Sequence, residues 1–435
     1  MPQSSATQRP AEPREDLVSS PAERERRLRL PETHVVFLVN FVAPNLLGVF
    51  QQLAARVKKF TVVSSVPVES NREWKPETDG LDVRVQRTWT ITRNAVHPSG
   101  YQEPNYIHIP LDTFGQLRRL KPDVVVSLEL GARSLFSNLY RRLHPRTVHV
   151  AAVLASERSE AGRGGIRGVM RRSLLKLVDG VTYNGPSCKR YLLSLGVDES
   201  KLSSWDYAAD PRKAYRGPLP KCTRHGQSKA LNVLTVGQLS ERKGITQAAA
   251  AMCRIASAMS EQTIHWSLVG GGPLREELSS MARPRNLQIN LVGHCDPVHL
   301  RDYYRDSDVM LFPTLGDEWG LVVDESFASG LPVIGSCHSQ AWQTLIRNGY
   351  NGFVFDPENE SSLIAAFDQW SKLGSEEYTA MRAAARECVV GRTPTKSALQ
   401  MLDAIVLAMH RRGFTPAIDD SSPAPVEAWS GEIQS

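Results

Sequence analysis

Two segments in the second half of the chain hold residues whose types and spacing could do chemistry. The longer covers residues 311–333 and reads as a strand, a loop carrying Glu318, a glycine turn at Gly320, and a helix carrying Glu325 seven positions on. The first backbone N–H groups of a helix have no acceptor within it, so those of Gly320, Leu321 and Val322 form a ready anion site. Two carboxylates aimed at one pocket suit bidentate binding of vicinal hydroxyls, as on a ribose or hexose. The shorter segment, residues 236–244, follows a strand and opens a helix. Gly237 lets the backbone come close to a ligand. Arg242 and Lys243 put two cations at the edge of a sheet, where contacts to a diphosphate would stabilise a leaving group.

These segments need a framework, and the hydrophobic pattern supplies one. Apolar runs at 34–39, 60–64, 122–127, 147–154 and 180–184 read as buried strands, with helical periodicity over 46–57, 111–120 and 166–178 between them. Strand–helix–strand within about thirty residues predicts parallel sheet. A stretch rich in Pro, Gly and charge follows at 208–229. The alternation then restarts with strands at 231–236, 265–269, 287–292, 309–312 and 333–334. The expected organisation is a disordered tail at 1–30, a first Rossmann-like domain at 31–216 and a linker at 217–229. A second Rossmann-like domain follows at 230–395, then a helix at 396–412 packing back on the first domain and a second disordered tail at 413–435. A chain of 435 residues exceeds what one core holds.

The long segment resembles the E-x7-E motif of retaining family 4 (group 1) glycosyltransferases, written E-x-(F/W)-G-x-x-x-x-E-x-x-A-x-G-x-P-V, with Trp319 and Gly320 at the aromatic and glycine positions. Residues 236–244 are similar to that family's G-R-x-x-x-x-K-G segment, with Gln238 where Arg is common. The resemblance implies the GT-B fold, an α/β architecture of two Rossmann-like domains with parallel sheets facing across a cleft. It implies that Glu318 contacts the donor sugar near the reacting centre and that Glu325 binds the nucleotide ribose. Arg242 and Lys243 would hold the diphosphate with the backbone around Gly320, Leu321 and Val322. Gly293 and His294 stand where the family meets the nucleobase. Glu157, after the 147–154 strand, takes the place where many members carry a His near donor and acceptor.

Two departures stand out. Residues 40–48 replace the usual Gly-Gly loop, and Gln340–Thr344 replaces the G-G-x-P-E turn. Residues 270–273, which match a V-G-x-G-P turn, serve equally as a tight strand-to-helix turn. The stretch at 69–74 looks like those of bacterial polysaccharide-assembly members.

The implied reaction moves a hexose from a nucleoside diphosphate sugar to a glycan or lipid-linked acceptor with retention. The alternatives are an epimerase on the same fold and a non-catalytic sugar-nucleotide binder. No cofactor is expected, and no D-x-D loop marks a required metal.

Composition narrows the partners. The net charge is +6, but residues 31–216 hold 27 Lys/Arg against 17 Asp/Glu, leaving the rest of the chain acidic. A basic first half fits an anionic partner. The basic residues lack interleaved aromatics, which argues against nucleic acid. The helix at 166–178 mixes apolar and basic residues. A peripheral contact with an anionic membrane is compatible with it, but the expectation is an apolar stripe on the sheet and a basic face in water. No apolar run reaches the length of a membrane span, and six widely spaced cysteines give neither a C-x-x-C pair nor a disulfide framework. The expected location is the cytoplasm, at most against the inner face of the cell membrane.

Overall fold

The computed structural model describes residues 28–69, 78–97, 99–162, 164–219 and 230–419. Most of both expected tails, part of the 69–74 stretch and the linker from 220 onward lie outside these residues. The inner ends of the tails are structured. Leu30 is fully buried in the first strand, and Arg29 pairs with Asp419 through reciprocal backbone hydrogen bonds.

The first half builds a seven-stranded parallel sheet. Its strands are β1 (Leu30–Val39), β2 (Val57–Ser64), β3 (Asp82–Val85), β6 (Val124–Leu128), β7 (Val148–Val153), β8 (Gly180–Tyr183) and β9 (Leu202–Ser204). A separate antiparallel hairpin, β4 (Thr88–Val96) and β5 (Gln102–Pro110), leaves the sheet after β3. The sheet order is β3-β2-β1-β6-β7-β8-β9. The second half builds a six-stranded parallel sheet from β10 (Ala230–Val236), β11 (Thr263–Val269), β12 (Leu287–Gly293), β13 (Val309–Phe312), β14 (Val333–Ser336) and β15 (Gly352–Phe355). Its order is β12-β11-β10-β13-β14-β15. Central strands such as β6 and β13 are buried along their whole length, as expected where helices cover both faces. In each sheet the strand order reverses beside the first strand, so a crevice opens at the C-terminal ends of β1 and β6, and of β10 and β13.

The last helix, Pro394–Arg411, ties the halves together. Thr393 caps it, accepting from the Lys396 N–H, and Pro394 opens it. Its buried face (Ala398, Leu402, Ile405 and Ala408 among others) joins the core of the first sheet, not the second.

One helix departs from expectation. The periodic stretch at 166–178 folds as Gly165–Lys176, and its apolar stripe does not all face the sheet. Leu174 and Leu175 are buried, whereas Ile166, Val169, Met170 and Leu177 are exposed. Arg171, expected in water, is buried instead, donating to Tyr191 Oη and Glu160 Oε1.

Candidate functional site

The second-domain wall is built by two loops that hold each other. Leu315 N–H and the Thr314 hydroxyl both donate to Arg242 C=O, at 2.8 and 3.2 Å, fastening the loop after β13 to the loop after β10. This fastening carries the Arg242 and Lys243 side chains to Asp317. Lys243 Nζ lies 2.5 Å from one Asp317 oxygen and Arg242 Nη1 3.8 Å from the other, with Arg242 also donating to Gly316 C=O at 3.1 Å. Burial alone would raise the Asp317 carboxyl. Lys243 and then Arg242 outweigh it and hold the group below its ordinary value.

The motif's own spacing shifts its first acid by one residue. The resembled motif places seven residues between its two acids, and counting back from Glu325 reaches Asp317, not Glu318. Asp317 is the acid that meets the two cations. Glu318 still lines the cavity between the domains, and its carbonyl accepts from Asn184 Nδ2 and Gln340 Nε2 at 3.1 and 2.7 Å.

Two further expected ligands are enclosed by protein, and two more are half-buried. Trp319 packs in the second-domain core, its ring N–H donating to Asp324 and its face carrying the Arg392 guanidinium at 4.8 Å. Glu325 is buried on the helix Leu321–Ala328, accepting from Tyr304 Oη at 2.9 Å with Lys213 Nζ at 3.5 Å. Burial raises its pKa, and Lys213 and Tyr304 offset part of that rise. Leu321 and Val322 turn their side chains toward the core, leaving only backbone for an anion.

Gly320 opens that helix at φ +110°, where a Cβ would stand 2.7 Å from the Phe312 ring. The turn at 270–272 is structural. Gly270 adopts φ +145°, and a Cβ there would meet Gly237 C=O at 1.9 Å. Gly270 N–H donates to Gly293 C=O, which fixes the ends of β11 and β12. His294, the next residue, is exposed and is not among the residues lining the cavity.

The first-domain wall comes from residues far apart in sequence. Arg133 is buried at the floor, bonded to Asn40 Oδ1, to Ser65 Oγ at 3.0 Å and to Leu128 C=O at 3.2 Å. Burial lowers its pKa. Glu129, at the end of β6, holds φ +67°, a left-handed conformation uncommon for a non-glycine residue, and half-exposes its carboxylate to the cavity 3.6 Å from Arg133. Residues 106–109 of β5 form another wall. Glu160 enters the cavity clamped by Arg171 at 2.5 Å and Arg167 at 3.3 Å. The expected Glu157 does not enter. It sits on the surface, accepting from Arg190 at 2.7 Å and from Ser187 at 3.0 Å, contacts that lower its pKa with Arg190 the larger cause. Between these walls lies a cavity of about 550 Å³.

Gln340 locks the walls together. Its side chain is buried, accepting from Cys188 N–H at 3.0 Å and donating to Ala155 C=O and Glu318 C=O, each at 2.7 Å. Arg158 makes a second bridge, to Glu358 at 2.7 Å and to Leu315 C=O at 3.3 Å. The hairpin makes a third, its Gln102 N–H donating to Glu241 at 3.2 Å. Periodicity and motif spacing single out neither Glu129, Lys213 nor the hairpin, mark Gln340 only as a departure from the family turn, and leave Asp317 unassigned. The signal for Asp317 is its spacing from Glu325. Among the described residues Cys337, His338 and Asp356 bring three potential metal ligands within 4.8 Å of one another, but the nearby Arg158 charge opposes a cation there.

Comparison with known proteins places this geometry. Residues 225–388 match the family model for glycosyl transferases group 1. A peptide N-acetylglucosaminyltransferase GtfA subunit from Streptococcus agalactiae is 30% identical over 149 residues, covering 33% of this chain and 28% of that protein. A glycogen synthase from Mycobacterium tuberculosis is 28% identical over 149 residues, covering 34% of this chain and 35% of that protein. The match thus spans about a third of these relatives' length. Among solved structures, HepE of Anabaena in complex with UDP has a TM-score of 0.63 at 14% identity, covering 86% of this chain and 99% of that one. Sucrose-phosphate synthase from Thermosynechococcus elongatus has a TM-score of 0.60 at 17% identity, covering 85% and 98%. The fold is GT-B, two Rossmann-like domains with parallel sheets.

Proposed function

We propose that the chain is a retaining glycosyltransferase of family 4 that moves a hexose from a nucleoside diphosphate sugar to a hydroxyl of a glycan or lipid-linked glycan. The observation that carries this reading is the meeting of Arg242, which lines the cavity between the two domains, with Lys243 and Asp317 beside it at the ends of β10 and β13. A pair of cations at the switch point of a parallel sheet suits a diphosphate. Arg242 and Lys243 would take up the charge that develops on the departing nucleoside diphosphate, aided by the N–H groups at the start of Leu321–Ala328. Asp317 orients both cations and, with Glu318, meets the donor sugar. The motif assigns Glu325 to the ribose, with the hydroxyls taking over from Lys213.

The resemblance assigns no side chain as a nucleophile at the sugar. Retention then follows if the acceptor hydroxyl attacks from the leaving-group face and passes its proton to a phosphate oxygen of the departing diphosphate. Closure of the two domains on the substrates would exclude water, which limits hydrolysis. No cofactor or metal enters this scheme. An epimerase would need no acceptor, and the broad cavity lined by the hairpin favours transfer.

Thermal shift with UDP-, GDP- and ADP-sugars tests the donor site, since a ligand that binds only the folded state raises Tm. The expected result is a rise with one nucleotide class that is lost in Arg242→Ala. A well-folded protein that responds to none of them refutes the assignment.

A further inference from the structure

The outward faces of two neighbouring helices are apolar where a surface helix is ordinarily polar. Helix Ala132–Leu143 and helix Gly165–Lys176 lie side by side, joined by Asn138 Nδ2 donating to Leu174 C=O at 3.0 Å. The first exposes Leu135, Leu139 and Leu143, spaced four apart along one ridge; the second exposes Ile166, Val169 and Met170, with Leu177 just beyond it. Ile166 is 90% exposed and Leu135 55%. Scattered exposed aliphatics are ordinary, but seven on two adjacent helices form a patch that marks an interaction site.

The charges identify the partner. Residues 132–146 and 164–177 contain eight Arg or Lys and no Asp or Glu. Arg142, Arg146, Arg172 and Lys176 face solvent around the aliphatic ridge. A second copy docked face to face would bring like charges together. Nucleic acid would call for aromatic platforms, and the ridge is aliphatic. Aliphatic side chains that insert, ringed by cations, fit an anionic bilayer surface. The patch also adjoins the cavity, because Arg167, Met170 and Arg171 of the second helix line it.

The geometry points to a peripheral docking surface for an anionic lipid bilayer, formed by the outer faces of Ala132–Leu143 and Gly165–Lys176 and set at the mouth of the cavity. The surface stands on its own observations. Only its purpose, delivering a lipid-linked acceptor to the cavity, rests on the transferase reading.

The test is co-sedimentation of the full chain with vesicles of phosphatidylcholine alone and with phosphatidylglycerol added; it requires neither donor nor turnover. The chain is expected to bind the anionic vesicles, release as salt rises, and ignore neutral ones. Arg172→Ala with Lys176→Ala should lower partitioning about 30-fold. Ile166→Ser with Val169→Ser should abolish binding, with melting curves unchanged because both side chains are already in water. No binding to either vesicle overturns the proposal. So does equal binding to both, or a dimer in solution that Ile166→Ser dissolves, since the patch would then be a self-interface.

Discussion

The two walls of the cavity are built in opposite ways. On the second-domain wall Arg242 and Glu318 come from two short loops at the ends of neighbouring strands, with Lys243 and Asp317 paired beside them. On the first-domain wall Arg133 and Glu129, Glu160, and residues 106–109 come from three places, one of them a hairpin outside the sheet. The contrast fits a division of labour. A diphosphate is a constant target, and two loops at a switch point can be specialised for it. An acceptor varies, and a wall assembled from scattered pieces can vary with it. If so, damage to the second wall should affect donor binding, and damage to the first should leave it intact.

The largest effect is expected at Lys243. Lys243→Met leaves the largely buried Asp317 carboxylate without its nearer cation, and should cost about 3 kcal/mol in urea denaturation together with donor binding. Asp317→Asn in the same chain should restore much of the stability but not the donor binding. Because the Asp317 carboxyl is held low in the fold, its contribution is complete above the unfolded value of about 3.9 and is lost as pH falls through the folded value. Lys243→Met should remove that acid dependence.

The first domain has its own pH signature. His149 is buried between Ser127 and Asn138, and burial and then Arg141 push its pKa down to about 3. The neutral ring therefore stabilises the fold fully above about pH 6.5, and stability should fall by up to about 1.4 kcal/mol per unit as pH drops toward the folded value. His149→Gln should flatten that slope in urea midpoints taken across the range, while the donor-induced Tm shift at neutral pH persists. Loss of the shift would contradict the division between walls.

Gln340 tests the lock. Gln340→Ala strands the Cys188 N–H and the Ala155 C=O, and should cost about 2 kcal/mol. Hydrogen exchange should then quicken at the Cys188 amide, whose acceptor lies across the cleft. The smallest effect is expected at Glu157, whose contact with Arg190 is on the surface and worth less than about 1 kcal/mol. Glu157→Gln should leave transfer activity and stability nearly unchanged, whereas Glu160→Gln, inside the cavity, should impair acceptor use.

Much of this was legible because it is local. Apolar runs such as 34–39 and 309–312 are strands whatever surrounds them, and a strand followed by glycine and a helix fixes where its loop must point. That determined the central strands of both sheets, the helix opened by Gly320 and the loop that carries Arg242 and Lys243, but not the edge strands β3, β9 and β15. The sequence also held the spacing that selects Asp317, since counting from Glu325 needs no structure. Tertiary structure decided the rest. Whether Arg171 or Ile166 faces water depends on Glu160 and Tyr191, which periodicity cannot see. Trp319 is a core residue because Arg392, 73 positions away, lies over its ring. Gln340, where the family pattern is lost, holds the domains together through partners more than 150 positions distant. Such roles arise from pairings between distant segments, and a pattern read along one segment carries no trace of them.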